Sequence, residues 1–268
     1  MPAQLLNCPP ATDLPAVASF YQEHGYYIGR GLVDPATLGN LDRDFDRIVS
    51  QIQANGLNAN ARWDQETTTA IDNDRTSVII HTHQVQKYSA AWGRWLYDER
   101  YLDVVEALIG PDIVMHHTKL FLKPAGRGAA FPPHQDFGYF RTTVHSMLAA
   151  TVYLSDSDEG NGCLRVWPGS HKLGPVDPQE SMGRSASFSA RFPFDDSVPV
   201  ETKPGDVAFF SYLTVHGSLP NRGDRARKSV LVQLRSGSDQ MAGAGHPDTN
   251  LVLRGWDHHM NRDRANAN

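Results

Sequence analysis

Cysteine is scarce: Cys8 and Cys163 are the only two, one near the start and one deep in the chain. Such a pair argues against a disulfide framework and against a thiolate metal cluster, so any metal here must take nitrogen and oxygen ligands. Long apolar runs are missing too. None approaches the roughly 18 residues that a membrane span requires, and membrane insertion is not expected. The first ten residues hold no basic stretch followed by an apolar segment, so no secretory signal is read and a cytoplasmic location is the expectation. Excess basic charge is absent as well: 25 Lys and Arg stand against 30 Asp and Glu, a net charge of −5, with the two signs interspersed. That distribution offers no face to nucleic acid and points to a small-molecule partner. No internal repeat or low-complexity tract is visible.

What remains is an ordinary globular composition. Apolar residues make up 40% and charged residues 21% of 268, enough to bury a sizeable core. A monomer or a homodimer is the expectation. Helical spacing over Asp13 to Gly25, with Asp13 as N-cap, predicts a first helix, and Asp34-Pro-Ala-Thr37 opens a second that runs to about Gln53. Tyr26 to Val33 between them reads as a strand. Residues 55 to 74 are polar and aperiodic and read as a long loop suited to substrate contacts. Val78 to His83 is a strand candidate, and Ala90 to Ile109 a single helix stopped by Gly110-Pro-Asp112.

From there the chain changes character. Short apolar stretches (Ile113–Lys123, Met147–Leu154, Cys163–Trp167, Val198–Lys203, Val207–Phe210 and Ser229–Arg235) are separated by Pro168-Gly169, Pro204-Gly-Asp206 and Asn221-Arg-Gly-Asp224 turns. This pattern predicts a sandwich or barrel. The expectation is one domain over 1–268: a helical N-terminal part at about 1–112, a β core at about 113–236 and a tail at 237–268.

One stretch carries the chemistry. In Pro132-Pro133-His134-Gln135-Asp136-Phe137, an imidazole and a carboxylate stand two residues apart, on one face if the backbone is extended. A 2-His-1-carboxylate triad holds one face of an iron(II) ion and leaves the opposite positions open. His216, after the apolar Gly205–Val215 run, has the most suggestive setting for the third ligand. Arg227, just before another apolar run, is placed to clamp a carboxylate in bidentate fashion. Taken singly these features are commonplace: His-x-Asp arises by chance, a lone histidine is usually a satisfied core residue, and Arg227 lies in a charged run typical of a solvated loop. Their order and spacing together favour a site.

The same residues give a definite resemblance. Leu120–Gly126, Pro133–Asp136, Asn161–Lys172, and Pro204–Phe210 running into Val215–Ser218 and Arg227 resemble the phytanoyl-CoA dioxygenase (PhyH) family of Fe(II)/2-oxoglutarate-dependent oxygenases. The resemblance spans roughly Ile113 to Leu234. It implies a mainly β (α+β) fold: a double-stranded β-helix, a cupin-like jelly roll, with N-terminal helices packed on the outside. It implies His134, Asp136 and His216 as iron ligands and Arg227 as the anchor of the distal 2-oxoglutarate carboxylate, helped by Ser218. Gln135, Thr151 and Lys119 fall where family members line the cosubstrate pocket.

Dioxygen completes the implied chemistry, which is hydroxylation or another oxidation of a small organic substrate, in secondary metabolism, with succinate and CO2 released. Retention of Asp136 disfavours halogenation, since related halogenases carry a small residue there. Phe137, Tyr139 and Phe140, with Arg141, are candidates for the substrate mouth or equally for barrel-end packing. His171 either approaches the cosubstrate or holds its own corner. Trp63, Trp256 and His258-His259 are lid candidates, the histidine pair reading better as an exposed tail feature. Two other classes stay open: a cupin-like metalloprotein with 2-oxoglutarate-independent chemistry, and a non-catalytic small-molecule binding protein.

Overall fold

The computed structural model describes residues 5–56, 60–62, 66–242 and 249–262. Helix α1, Leu14–His24, starts where the Asp13 carboxylate accepts the Ala16 N–H at 3.2 Å. It stops at Gly25, whose φ of 76° only glycine adopts without strain. Strand β1, Tyr26–Gly29, follows and is shorter than expected. Helix α2, Pro35–Ala54, is capped by Asp34, which accepts the N–H groups of Ala36 and Thr37 at 3.0 Å each. Such a cap contributes on the order of 1 kcal/mol.

Two readings of this half need correction. The 55–74 segment contains a short helix, α3, Glu66–Ile71, and Trp63 lies outside the described residues. The stretch expected as one helix after β2, Ile80–His83, is two: α4, Ala90–Trp95, and α5, Glu99–Ile109. Asp98 causes the break. Its carboxylate accepts the Tyr101 N–H at 3.1 Å and so caps a new helix instead of continuing the old one.

The remaining strands are β3, Ile113–Lys123; β4, Phe131–His134; β5, Leu148–Tyr153; β6, Leu164–Val166; β7, Val198–Val200; β8, Val207–Ser211; β9, His216–Ser218; β10, Arg227–Ser236; and β11, Leu251–Arg254. Short helices α6, Pro178–Ser181, and α7, Ala186–Arg191, occupy the β6–β7 connection. The strands form a seven-stranded sheet in the order β1-β8-β5-β10-β3-β11, with β2 also on β3, and a four-stranded sheet in the order β4-β9-β6-β7. This is an antiparallel double-stranded β-helix. The large sheet draws β1 and β2 from the N-terminal part and β11 from the tail, so the flanks of the chain are woven into the core. β2 and β11 lie end to end along β3, against Lys119–Leu122 and Ile113–Met115.

Both faces of the large sheet are buried, which is why its strands read as unbroken apolar runs. Outward residues such as Leu120, Val152, Phe209 and Val230 pack under α1, α2, α4 and α5 with Val17, Phe45, Trp92 and Val105. Inward residues Tyr26, Ile28, Ala149 and Phe210 meet Val166, Val198 and Val200 of the small sheet. The inward face of β3, β5 and β10 beyond that contact lines a cavity.

Candidate active site

β4 and β9 pair so that His134 stands opposite His216, and their ring centroids are 4.1 Å apart. His134 Nδ1 lies 2.7 Å from the Pro132 carbonyl and His216 Nδ1 2.9 Å from the Thr214 carbonyl. A carbonyl only accepts, so each Nδ1 carries its proton and each Nε2 presents a lone pair. Asp136 Oδ1 is 3.7 Å from His134 Nε2 and 3.6 Å from His216 Nε2. All three donor atoms lie within 4.8 Å of one another, and all three residues are buried.

Asp136 is not on the strand, as an i, i+2 reading supposes. β4 ends at His134, and Asp136 opens a 3₁₀ turn to Gly138 that closes when its carbonyl accepts the N–H groups of Tyr139 at 2.9 Å and Phe140 at 3.2 Å. Burial lowers His134 to about 3 and His216 to about 4, and raises Asp136 above its ordinary value. Neutral imidazoles are the form that binds a metal. Two nitrogens and one carboxylate oxygen, with open space opposite, fit iron(II).

The donors face a cavity of about 260 Å³ that also meets Lys119, Thr151, Tyr153, Ser218 and Arg227. Arg227, 6% exposed, donates one N–H to the Gly162 carbonyl, while its buried Nε finds no acceptor among the described residues. Lys123, its register partner on β3, is completely buried and donates to Ser218 Oγ at 2.6 Å and the Leu219 carbonyl at 2.7 Å. Desolvation pulls both cations below their ordinary pKa values, Lys123 strongly, and among the described residues neither has a carboxylate partner. Arg227 is a buried cation in the wall at one end of the cavity and calls for an anion there, because an uncompensated buried charge is costly, while Lys123 stands behind Ser218 outside the lining.

The Phytanoyl-CoA dioxygenase (PhyH) family profile matches residues 21–229. The chain belongs to the phytanoyl-CoA dioxygenase family. Peroxisomal phytanoyl-CoA dioxygenase of Bos taurus is 30% identical over 221 residues, which is 79% of this chain and 65% of that protein. The chain thus spans just under two thirds of that relative's length. The 1-deoxypentalenic acid 11-beta-hydroxylase of Streptomyces exfoliatus is 29% identical over 234 residues, covering 81% of this chain and 78% of that one. Among solved structures, the non-heme alpha ketoglutarate dependent carbocyclase SnoK from nogalamycin biosynthesis shares the fold. Its TM-score is 0.71 at 17% identity, covering 92% of this chain and 98% of that one.

Within this PhyH-family chain, several expected residues fall elsewhere. Gln135 does not reach the cavity: its amide donates to the Leu213 and Gly174 carbonyls at 2.7 and 3.1 Å and accepts the Val176 N–H at 3.0 Å, stapling the turn from behind. Phe137 also points away, packing on Tyr212 and His145 at 5.7 and 5.8 Å, because its position in the 3₁₀ turn faces opposite to Asp136. Tyr139 and Phe140 do line the cavity, while Arg141 is exposed. His171 holds its own corner against α1, its Nε2 3.0 Å from the Gln22 carbonyl. Trp256 is 74% exposed, His258 sits 2.7 Å from Asp112, and His259 lies 2.9 Å from the Ser238 carbonyl, so none of the three reaches the cavity.

Three residues escaped the sequence reading. Lys123 lies within the Leu120–Gly126 block, and its alternation with Lys119 and Phe121 along β3 places it on the inward face. Gln233, fully buried on β10, lies near Asp136 and opposes the burial that raises that carboxyl, though neither of its amide atoms makes a hydrogen bond among the described residues. Tyr153 is the inward end of β5. Their shared signal is period-two spacing on strands whose two faces are both buried, which hides it.

Proposed function

We propose that the cavity holds iron(II) on His134, Asp136 and His216 and 2-oxoglutarate on Arg227. The protein is then a dioxygenase that hydroxylates or otherwise oxidises a small organic substrate. The observation that carries this reading is one cavity with a neutral two-imidazole, one-carboxylate donor set and, at its other end, the buried Arg227, which has no carboxylate partner among the described residues. Bound there, iron(II) and 2-oxoglutarate supply the oxidising chemistry with dioxygen, and 2-oxoglutarate leaves as succinate and CO2.

The chain's own part is binding and orientation. Arg227 offers a planar fork to the distal carboxylate, and Lys123 orients the Ser218 hydroxyl and adds positive potential beside it. Thr151 lines the wall between that end and the donor set. Phe121, Phe131, Tyr139 and Phe140 limit water around the substrate. A role in secondary metabolism accords with similarity to a hydroxylase of 1-deoxypentalenic acid.

Anaerobic addition of iron(II) and 2-oxoglutarate should produce the visible metal-to-ligand charge-transfer band, followed by substrate-dependent succinate release in a screen. A protein that binds iron without that band would be a cupin-like metalloprotein using other chemistry. One that binds no iron would be a binding protein.

A further inference from the structure

Gln233 is a buried polar group that nothing in the fold explains. It is completely buried in the second half of β10, and among the described residues neither its Nε2 nor its Oε1 has a hydrogen-bond partner. A buried amide left in that state is destabilising, so its presence in a native core marks a partner that arrives with function.

The sheet sets its position. Arg227, Ser229 and Leu231 line the cavity, and the two-residue alternation along β10 puts Gln233 next on the same inward face. It stands opposite Ala149 of β5, a small neighbour, and opposite His117 of β3. The register shifts just beyond, so that His116 falls between the His117–Gln233 and Met115–Leu234 pairs. Such bulges re-aim side chains and are frequent beside active sites. The metal-bearing turn lies against this spot: His117 packs 5.1 Å from Phe140, whose N–H donates to the Asp136 carbonyl at 3.2 Å. Burial raises the Asp136 carboxyl, and Gln233 is among the neighbours that oppose the rise.

The two oxygens of that carboxylate are not equivalent. Oδ1 faces His134 and His216 at 3.7 and 3.6 Å, which leaves Oδ2 outside the donor cluster. A carboxylate that binds metal through one oxygen needs a hydrogen bond on the other to fix its orientation.

Building on the proposed metal site, we infer that Gln233 is a positioning residue for it: its Nε2 donates to Asp136 Oδ2 once iron(II) engages Oδ1. The amide then keeps the second oxygen off the metal, so that the positions opposite the three ligands stay open to cosubstrate and substrate.

The test uses the full chain in two variants, Gln233→Met and Gln233→Leu, which remove both amide atoms while keeping an apolar side chain in their place. In urea, the metal-free variants should unfold at a midpoint equal to or above that of the wild type, because an orphaned donor and acceptor are deleted. Anaerobic calorimetry should show iron(II) binding weakened by about tenfold or more, the usual effect of losing a hydrogen bond to a metal ligand. With saturating 2-oxoglutarate the charge-transfer maximum should also move. A purely structural amide would give the opposite pattern, a lowered metal-free midpoint. Either variant that meets both the stability and the affinity expectation sustains the inference. It is overturned when neither does, whether because iron(II) binding moves less than expected or because the metal-free midpoint falls. The function proposed above fails differently. A wild type that binds iron(II) but shows no charge-transfer band with 2-oxoglutarate loses the dioxygenase reading and leaves the role of Gln233 standing; one that binds no iron(II) loses both.

Discussion

At the scale of the residue, the site depends on protonation as much as on position. His134 and His216 are held neutral by burial at about 3 and 4, against roughly 6.5 for an exposed imidazole. As pH falls below about 6.5 the unfolded chain takes up protons that the folded chain refuses, so the two histidines subtract stability on the way toward pH 4. Asp136, raised by burial, acts in the opposite sense, since its folded form keeps a proton that the unfolded chain releases. The metal-free protein should thus lose urea midpoint between pH 7 and pH 5, and His216→Gln should lessen that loss. An equal loss in the variant would show that other groups govern it.

Removing a ligand is more drastic. Asp136→Ala should abolish substrate-dependent conversion of 2-oxoglutarate to succinate under iron(II) and ascorbate, and retained turnover would sink the ligand assignment. If Arg227 anchors 2-oxoglutarate as proposed, Arg227→Ala should raise the 2-oxoglutarate requirement by roughly 10- to 100-fold. A change confined to the main substrate's dependence would mean that the clamp is wrongly placed. His134, Asp136, His216 and Arg227 were visible in the sequence because their residue types and order are distinctive. Lys123 and Gln233 were not, because a buried lysine or glutamine in an apolar run carries no local mark of which face it occupies.

At the scale of the element, short turns do the positioning. Gly162, with φ of 71°, ends the Glu159–Asn161 turn and offers its carbonyl to Arg227. A Cβ on Gly162 would stand 2.4 Å from the Leu219 carbonyl oxygen, in the loop that Lys123 also grips. Gly162→Ala should therefore both lower thermal stability, by about 1 kcal/mol or more, and raise the 2-oxoglutarate requirement. Normal 2-oxoglutarate dependence in a destabilised variant would separate the turn from the clamp. Asn161 and Gly162 are residue types that favour such a turn. The break between α4 and α5 was not legible, since Asp98 sits in a continuous helical pattern and its capping role shows only when its carboxylate turns back on Tyr101. The strand β4 is similar: an extended reading put His134 and Asp136 on one strand face, whereas the strand ends at His134 and its pairing with β9 sets the register of that residue.

At the scale of the whole molecule, the tail is part of the core. Arg235 and Asp257, both with fully buried side chains, pair at 3.1 Å, and Arg235 also donates to Asn250 and to the Asp239 carbonyl at 2.8 Å each. The pair ties the segment around β11 to β10 across β3. Asp257→Asn removes one charged partner of a buried guanidinium and should lower Tm, at a cost of about 1 kcal/mol or more; an unchanged Tm would mean that this pair is dispensable to the fold.

By itself the sequence determined the change from helical to short apolar segments, most strand positions in the β core, and the identity and order of the candidate ligands, because periodicity and residue type are local properties. Only the tertiary structure decided that β1, β2 and β11 complete the large sheet, that Gln135 and Phe137 turn away from the cavity, and that Gln233 comes to lie near Asp136. Strand partnership and the side to which a turn aims its side chains depend on packing between residues far apart in the chain, which no local pattern records.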